Sequence, residues 1–224
     1  MKFSRPALMT VFCAAVLTLS LPDLSAQQPP TTDRRVLIDA TDLPRKLLHA
    51  TLTLPIPVDK QAREIALWYP KWVPGSHGPG GAMENLAGLI IEDRHGQVLS
   101  WRRSPGEAFR LLVDVPADTD ALQLQVRYIA NQPSANSMGH DVFGSARLGV
   151  INSSAILFYL EGDDIDQVTV ATSLRLPSGW QASTALPELA GEALAAEQRS
   201  PAVDSSSTVE FDAVTLRTLV DSPI

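Results

Sequence analysis

The stretch WYPKWVPGSHGPGGAMENLAGL, residues 68–89, determines how the rest of the chain is arranged. It opens with an aromatic strand end, Trp68 and Tyr69, and then loses any strand pattern. Its three prolines remove backbone donors and hold φ at about −65°, and its glycines permit backbone shapes that other residues avoid. This composition predicts a shaped loop, and irregular loops of this length in compact domains are often functional.

On either side of this loop, apolar and polar residues mostly alternate, which is typical of half-buried strands. The clearest case is 121–130, where alternate residues from Leu122 to Tyr128 are expected to face inward. The same pattern predicts strands at 46–54, 65–69, 88–92, 97–101, 109–115, 121–130, 156–160, 168–176 and 209–214.

Turn-forming residues recur between these strands, and residues 93–96 (DRHG) predict a hairpin between 88–92 and 97–101. No segment before Pro187 has a helical period, whereas 189–198 is rich in helix formers. We therefore expect an all-β fold, either an antiparallel β-sandwich or a saddle-shaped sheet, with at most a short helix near the C-terminus.

The N-terminal residues 1–26 have the features of a secretory signal peptide. Lys2 and Arg5 precede a short apolar run at 7–21, and Ser25-Ala26 offers small residues for cleavage. The sole cysteine, Cys13, lies in this run, so the mature chain can form no disulfide. We expect an exported protein, periplasmic or secreted, without membrane association after cleavage. A retained N-terminal anchor is the alternative.

After cleavage, the pattern predicts one β-domain at 39–214, preceded by a flexible lead-in at 27–38 and followed by an exit segment at 215–224. The formal net charge of the whole chain is −7 at pH 7. Because binding a phosphate backbone requires clustered Lys and Arg, we do not expect nucleic acid as a partner.

The sequence contains no recognisable catalytic motif. None of its four histidines belongs to the H-E-x-x-H pair that grips zinc in many peptidases. There is no G-x-S-x-G nucleophile turn and no complete phosphate-binding loop. We therefore predict no catalytic, cofactor-binding or metal-binding residue in this chain.

Several segments resemble the N-terminal domain of the glycyl aminopeptidases, the zinc metallopeptidase family M-sixty-one. They are YPKWVPGSHGP followed by NLAGL in the loop, LPRKLLHATLTLP at 43–55 and LVDSPI at 219–224. The resemblance covers roughly 39–224 and implies a non-catalytic domain that precedes a zinc-binding catalytic domain. It also implies that zinc belongs to that catalytic domain, which would lie in cis, and that this chain is a fragment or a truncated product.

In this reading, the domain packs against the catalytic domain and helps to shape its substrate cleft. Two alternatives remain open. One is a free-standing module that binds peptides or carbohydrates, with Trp72, Trp101 or Trp180 as stacking surfaces. The other is a chaperone-like accessory β-domain that donates a sheet edge.

Residues 81–85 spell GAMEN and resemble the substrate-anchoring signature of the aminopeptidase N family, in which the glutamate holds the free amine of a peptide. No H-E-x-x-H follows here, so we interpret the match as coincidence. The candidate interdomain or substrate-facing residues of the loop are Lys71, Trp72, His77, Glu84 and Asn85. The simpler interpretation of Trp68, Tyr69 and Trp72 is that they cap the end of the sandwich as core aromatics.

These exclusions predict that purified residues 27–224 show no aminopeptidase activity on glycyl or alanyl substrates and bind no stoichiometric zinc. The physical reason is the lack of a ligand set that could hold the metal. Elemental analysis after dialysis measures the zinc content. One equivalent of retained zinc would contradict the prediction.

Overall fold

The structure is a computed structural model and describes residues 34–73, 75, 77–81, 83–130, 142–189 and 206–224. The predicted signal peptide lies outside the described residues, as does the predicted helix at 189–198 beyond its first residue, Leu189. Within the described ranges, no helix has the length and apolar character needed to cross a membrane.

Strands dominate the described part of the chain, as the alternating pattern predicts. They are β1 (Arg35–Asp39), β2 (Leu47–Pro55), β3 (Arg63–Trp68), β4 (Leu86–Asp93), β5 (Trp101–Ser104), β6 (Glu107–Val115), β7 (Ala121–Ile129), β8 (Val142–Gly144), β9 (Gly149–Ile151), β10 (Tyr159–Leu160), β11 (Thr169–Leu176) and β12 (Ser207–Thr215). One short α-helix, α1 (Leu216–Val220), follows β12, and 3-10 turns occur at Leu43–Arg45, Met83–Asn85 and Ser153–Ala155.

These strands form two larger sheets and one small hairpin. The six-stranded sheet has the order β12-β11-β1-β2-β7-β4, the four-stranded sheet has the order β10-β3-β6-β5, and β8 pairs with β9. The described strand pairs are antiparallel apart from β1 and β11, which run parallel. The expectation of an all-β sandwich or saddle is confirmed, with this one parallel pair as an addition.

The two larger sheets share one core. In β7, the predicted inward residues from Leu122 to Tyr128 are buried at alternate positions. Strand β2 pairs with β7 along its length, so that Ala50 lies opposite Val126 and Leu52 opposite Leu124. Leu67 and Val113 of the other sheet join the same buried cluster. A slip of one residue in this register would move the whole set to the solvent face, so burial fixes the pairing.

Strand β1 corrects the predicted boundary of the lead-in at 27–38. Residues 35–39 pair with β2 on one side and with β11 on the other, and Val36 and Ile38 are buried in the core. The sequence signal is weak because the strand has only five residues. Its parallel partner, β11, lies far away along the chain, where local patterns give no information.

The predicted strand at 156–160 is wrong for most of its length. Residues 156–158 follow the 3-10 turn Ser153–Ala155 and are buried without strand pairing, and only Tyr159 and Leu160 form a short strand against β3. The segment is a continuous apolar run, and periodicity alone cannot separate a buried strand from another buried conformation.

The predicted hairpin at 93–96 is confirmed as a turn but not as two long paired strands. The Asp93 carboxylate accepts hydrogen bonds from the backbone N–H groups of His95, at 2.8 Å, and Gln97, at 2.9 Å. Glu92 then forms a single bridge with Val98. Beyond it, β5 crosses to the other sheet and pairs with β6.

Tyr69 fixes the point at which β3 passes into the proline-rich loop. Its side chain is fully buried, and its hydroxyl donates a hydrogen bond of 2.8 Å to the carbonyl oxygen of Ala155. Its ring meets that of Phe158 edge to face, with 5.4 Å between the centroids. Its backbone N–H donates to the carbonyl oxygen of Phe109 at 2.8 Å. The loop therefore starts from a rigid position.

We predict that Tyr69→Phe lowers the free energy of unfolding by about 1–3 kcal/mol, because it removes a buried hydrogen bond and leaves the Ala155 carbonyl without this donor. Denaturant unfolding followed by circular dichroism measures the change. Tyr159→Phe is the matched control, since Tyr159 is only partly buried, and a change within about 0.5 kcal/mol is expected for it. Equal losses in the two variants would contradict the anchoring role of Tyr69.

Candidate functional site

The loop that follows Tyr69 is closed on itself at its base. The carbonyl oxygen of Lys71 accepts hydrogen bonds from the backbone N–H groups of Gly80, at 2.9 Å, and Gly81, at 3.3 Å. A Cβ atom at Gly81 would lie 2.0 Å from the carbonyl oxygen of Pro70, so only glycine allows this approach. The predicted shaped loop is thus present in the described residues, with Pro74, Ser76 and Ala82 outside them.

Lys71 is held by its own domain. Its Nζ lies 2.6 Å from the Glu107 carboxylate and 5.7 Å from the centroid of the Phe109 ring. The hydrogen bond from Lys71 is the largest of the effects that place the pKa of Glu107 below its ordinary value, and the N–H of Phe109 adds to it. The Lys71 ammonium group therefore has a carboxylate partner before any ligand arrives.

Trp72 is the most exposed large apolar side chain among the described residues, with 65% of its surface accessible. It forms one side of a cavity of about 450 Å³, which we call the Trp72 groove. The rest of the groove is lined by Pro70 and Lys71, by Leu157, Tyr159 and Ile165, and by Leu216, Arg217, Val220 and Asp221. The interpretation of Trp72 as a core aromatic is therefore wrong, whereas it is correct for Tyr69.

Helix α1 supplies the opposite side of the Trp72 groove. The Thr215 hydroxyl caps its N-terminus by accepting a hydrogen bond of 3.2 Å from the N–H of Thr218. Leu216 and Leu219 are buried beneath the helix. Residues 216–224, expected as the main part of an exit segment, thus pack against the domain. Their N-terminal end is also tied by hydrogen bonds from the N–H of Leu216 to Val168 and from that of Arg217 to Ile165.

The charged rim of the groove on this side is paired internally as well. The Arg217 guanidinium binds the Asp166 carboxylate with two nitrogens, Nε to Oδ1 and Nη2 to Oδ2 at 2.9 Å. This hydrogen bonding is the main reason why the pKa of Asp166 lies below its ordinary value. Lys71 and Arg217 both have carboxylate partners, so the groove offers a partner mainly apolar surface.

The other three candidate residues of the loop do not line the groove. His77 and Glu84 are exposed. The Asn85 amide donates a hydrogen bond of 3.4 Å to the hydroxyl of Tyr128. Met83, between them, is buried in the core. Within GAMEN, Met83 and Asn85 thus hold the start of β4 in place, and the interpretation of the motif as a coincidence stays a prediction.

Several groove residues were not identified from the sequence. Leu157 and Ile165 belong to segments far from the loop in the chain, and no local pattern brings them to it. Helix α1 has only five residues, too few for a helical period to appear. The available signal was Thr215, a residue type favoured at helix N-termini, before a short apolar sequence.

The described residues contain no group of three or more His, Cys, Asp or Glu side chains that could hold a metal ion. Two titratable side chains that line the groove, Lys71 and Arg217, are engaged in ion pairs. What the groove can do chemically is bind an apolar surface. The prediction that the mature chain binds no metal remains to be tested.

A solved structure shares this fold. The chain resembles the aminopeptidase N family protein of Idiomarina loihiensis with a TM-score of 0.60 and 20% identity, covering 85% of this chain and 28% of that one. It also matches the M1 zinc metallopeptidase of Deinococcus radiodurans with a TM-score of 0.46 and 12% identity, covering 85% and 40% of the two chains. At 20% identity, the likeness to the Idiomarina protein concerns the fold alone. The chain spans less than half the length of either structure.

No curated protein matches the chain. The model of the Peptidase M61 N-terminal domain, however, matches residues 35–224, from the first residue of β1 to Ile224. This agrees with the resemblance found in the proline, glycine and tryptophan pattern of the loop. The chain therefore belongs to the Peptidase M61 N-terminal domain family.

Proposed function

We propose that this chain is the non-catalytic N-terminal β-domain of an exported, glycyl aminopeptidase-like metallopeptidase. In this proposal the Trp72 groove packs against the zinc catalytic domain in cis and helps to shape the substrate cleft. The observation that carries the proposal is the exposure of Trp72, at 65%, on an apolar groove next to α1. Export is proposed from the basic and apolar pattern of residues 1–26.

The chemistry of the groove favours a protein surface as its occupant. Large exposed apolar patches on soluble proteins commonly mark interaction sites. Tryptophan is also enriched among the residues that dominate binding energy at interfaces. Because Lys71 and Arg217 are already paired with Glu107 and Asp166, an anionic ligand would have to compete with existing ion pairs.

The position of the groove suits a partner in the same chain. Asp221 lines the groove, and Ile224, the last residue matched by the family model, follows three residues later. Three extended residues span about 10 Å. A domain that begins after Ile224 would therefore start close to the groove, at a high effective concentration.

The loop is also prepared for docking before any partner binds. Its base is closed by the two hydrogen bonds to the Lys71 carbonyl, and its start is held by Tyr69. Rigid elements lose little conformational entropy on association, so more of the contact energy remains as affinity.

The alternative of a free-standing stacking module has less support. Trp101 and Trp180 are partly buried and pack against the core, so each presents less of its ring to a sugar or peptide than Trp72 does. Trp72 alone would supply a single stacking surface. The catalytic role of zinc belongs to the proposed partner domain, and the role assigned to this chain is binding and orientation.

We predict that Trp72→Ser weakens binding to a separately produced Peptidase M61 catalytic domain by about 2 kcal/mol or more, which is the usual loss at an interface hot spot. It should also reduce self-association of the isolated chain, because it removes the exposed apolar ring. Calorimetric titration measures the binding, and light scattering measures the self-association.

Val98→Ser is the matched control for this experiment. Val98 is 64% exposed but does not line the Trp72 groove, so neither binding nor self-association should change. Both variants should melt close to the original chain, since surface substitutions usually change stability by no more than about 0.5 kcal/mol. A large loss of melting temperature in Trp72→Ser, with unchanged association, would show that the tryptophan is structural and that the proposal is wrong.

A further inference from the structure

The small β8–β9 hairpin has one edge directed at the C-terminal end of the chain. The N–H of Ser145 donates to the carbonyl oxygen of Leu148 at 2.8 Å and closes the turn, and Phe143 lies opposite Val150. In an antiparallel pair, hydrogen-bonded and non-hydrogen-bonded positions alternate. Val150 therefore directs its peptide groups toward β8, while Gly149 and Ile151 direct theirs toward the opposite edge.

Ile224 already occupies part of that edge. The N–H of Ile151 donates to the carbonyl oxygen of Ile224 at 2.7 Å, and the N–H of Ile224 donates to the carbonyl oxygen of Ile151 at 3.0 Å. This reciprocal exchange is the hydrogen-bonded pair of an antiparallel ladder. The C-terminal residue of the sequence thus stands in the position of a strand partner of β9.

The next pairing position on β9 is Gly149. Its N–H and carbonyl groups make no backbone hydrogen bond to this edge among the described residues. By the alternation of the ladder, the residue that would pair with Gly149 is the second residue after Ile224. An unpaired strand position of this kind is a template for another extended segment.

A mainly apolar cavity lies beside Gly149. This cavity of about 360 Å³, which we call the β9 groove, lies between β9 and the segment around Trp180 and includes Ile224. Leu148 and Val150 on this hairpin are 58% and 38% exposed. A Cβ atom on Gly149 would lie 2.5 Å from Leu43 and 3.1 Å from the Trp180 ring, so these two side chains lie directly over the glycine.

We propose that β9 accepts an extended strand that continues from Ile224, and that the second residue of this continuation exchanges two backbone hydrogen bonds with Gly149. Directly paired residues share one face of a sheet, so the side chain of this second residue lies on the same face as Gly149 and Ile151, next to Leu43 and Trp180. An apolar side chain fits that position. The inference rests on the proposed function, because it requires chain beyond Ile224.

Such a strand addition makes the connection between the domains rigid. Main-chain hydrogen bonds fix the direction of an added strand, and its side chains then fix its register. The following domain would leave the N-terminal domain at an angle set by β9, instead of moving on a free linker.

Two lengthened chains test the proposal: the whole mature chain extended after Ile224 by Thr-Val-Thr-Gly, and the same chain extended by Thr-Pro-Thr-Gly. Proline has no N–H to donate to the Gly149 carbonyl and is disfavoured at paired strand positions, so the pairing that brings the carbonyl of the second residue to the Gly149 N–H should be lost. Hydrogen exchange measured by NMR should show the Gly149 amide slowed by about fivefold or more in the valine chain, the effect expected from a single net hydrogen bond. The proline chain should resemble the chain that ends at Ile224.

Three outcomes would overturn the proposal. One is equal exchange at Gly149 in the valine and proline chains. Another is a Gly149 amide that, in the chain ending at Ile224, already exchanges as slowly as that of Val150. The third is slowing that grows with protein concentration, which would mean that a second copy pairs with β9. None of these results depends on Trp72. The Trp72→Ser experiment tests the docking proposal, and exchange at Gly149 tests the strand-addition proposal, so failure of one is distinguishable from failure of the other.

Discussion

The buried hydrogen bond from the Tyr69 hydroxyl to the Ala155 carbonyl holds together the parts from which the Trp72 groove is built. Tyr69 begins the proline-rich loop, and Ala155 ends the 3-10 turn against which α1 packs. The two sides of the groove therefore depend on a common support, reinforced by the edge-to-face contact of Tyr69 with Phe158. A buried polar pair of this kind is costly to break, because either group alone would be left without a partner.

In the proposed docking, the charges around the groove would add selectivity more than stability. Exposed ion pairs contribute little to folding, but those of Lys71 with Glu107 and of Arg217 with Asp166 remove two cations from competition for a ligand. The pKa values of both carboxyls are lowered, so the stabilisation is present above their ordinary pKa values, 4.5 for Glu and 3.8 for Asp. It is lost only as the pH falls through the lowered values. Both ion pairs therefore persist at neutral and mildly acidic pH. Over that range the two cations stay paired, and the groove offers mainly apolar surface.

The sequence predicted best the elements whose burial is one-sided. Strand β7 alternates strictly because one face meets the core and the other meets solvent. The amino-acid sequence therefore shows apolar and polar residues in turn. Residues 156–158 are buried without strand pairing, so no alternation was available to distinguish them. The parallel pairing of β1 with β11 joins distant segments, and nothing local encodes it.

The same distinction between local and tertiary information applies to the residues of the candidate site. Lys71 and Trp72 were found because prolines and glycines mark an irregular loop, which is a local property. Leu157, Ile165 and Val220 reach the groove only through the tertiary fold. His77 and Glu84 share the composition of the loop but not its position at the groove, since composition does not determine the direction of a side chain.

The last residues of the sequence connect the two apolar grooves. Asp221 lines the Trp72 groove, whereas Pro223 and Ile224 line the β9 groove. A domain that follows Ile224 would meet one groove through its surface and the other through its first residues. Two contacts joined by so short a segment restrict rotation more than either contact alone, because each lowers the entropy that remains to be lost at the other. The orientation of the partner domain would then be a property of this domain's C-terminal segment, which folds onto the core through Leu216 and Leu219.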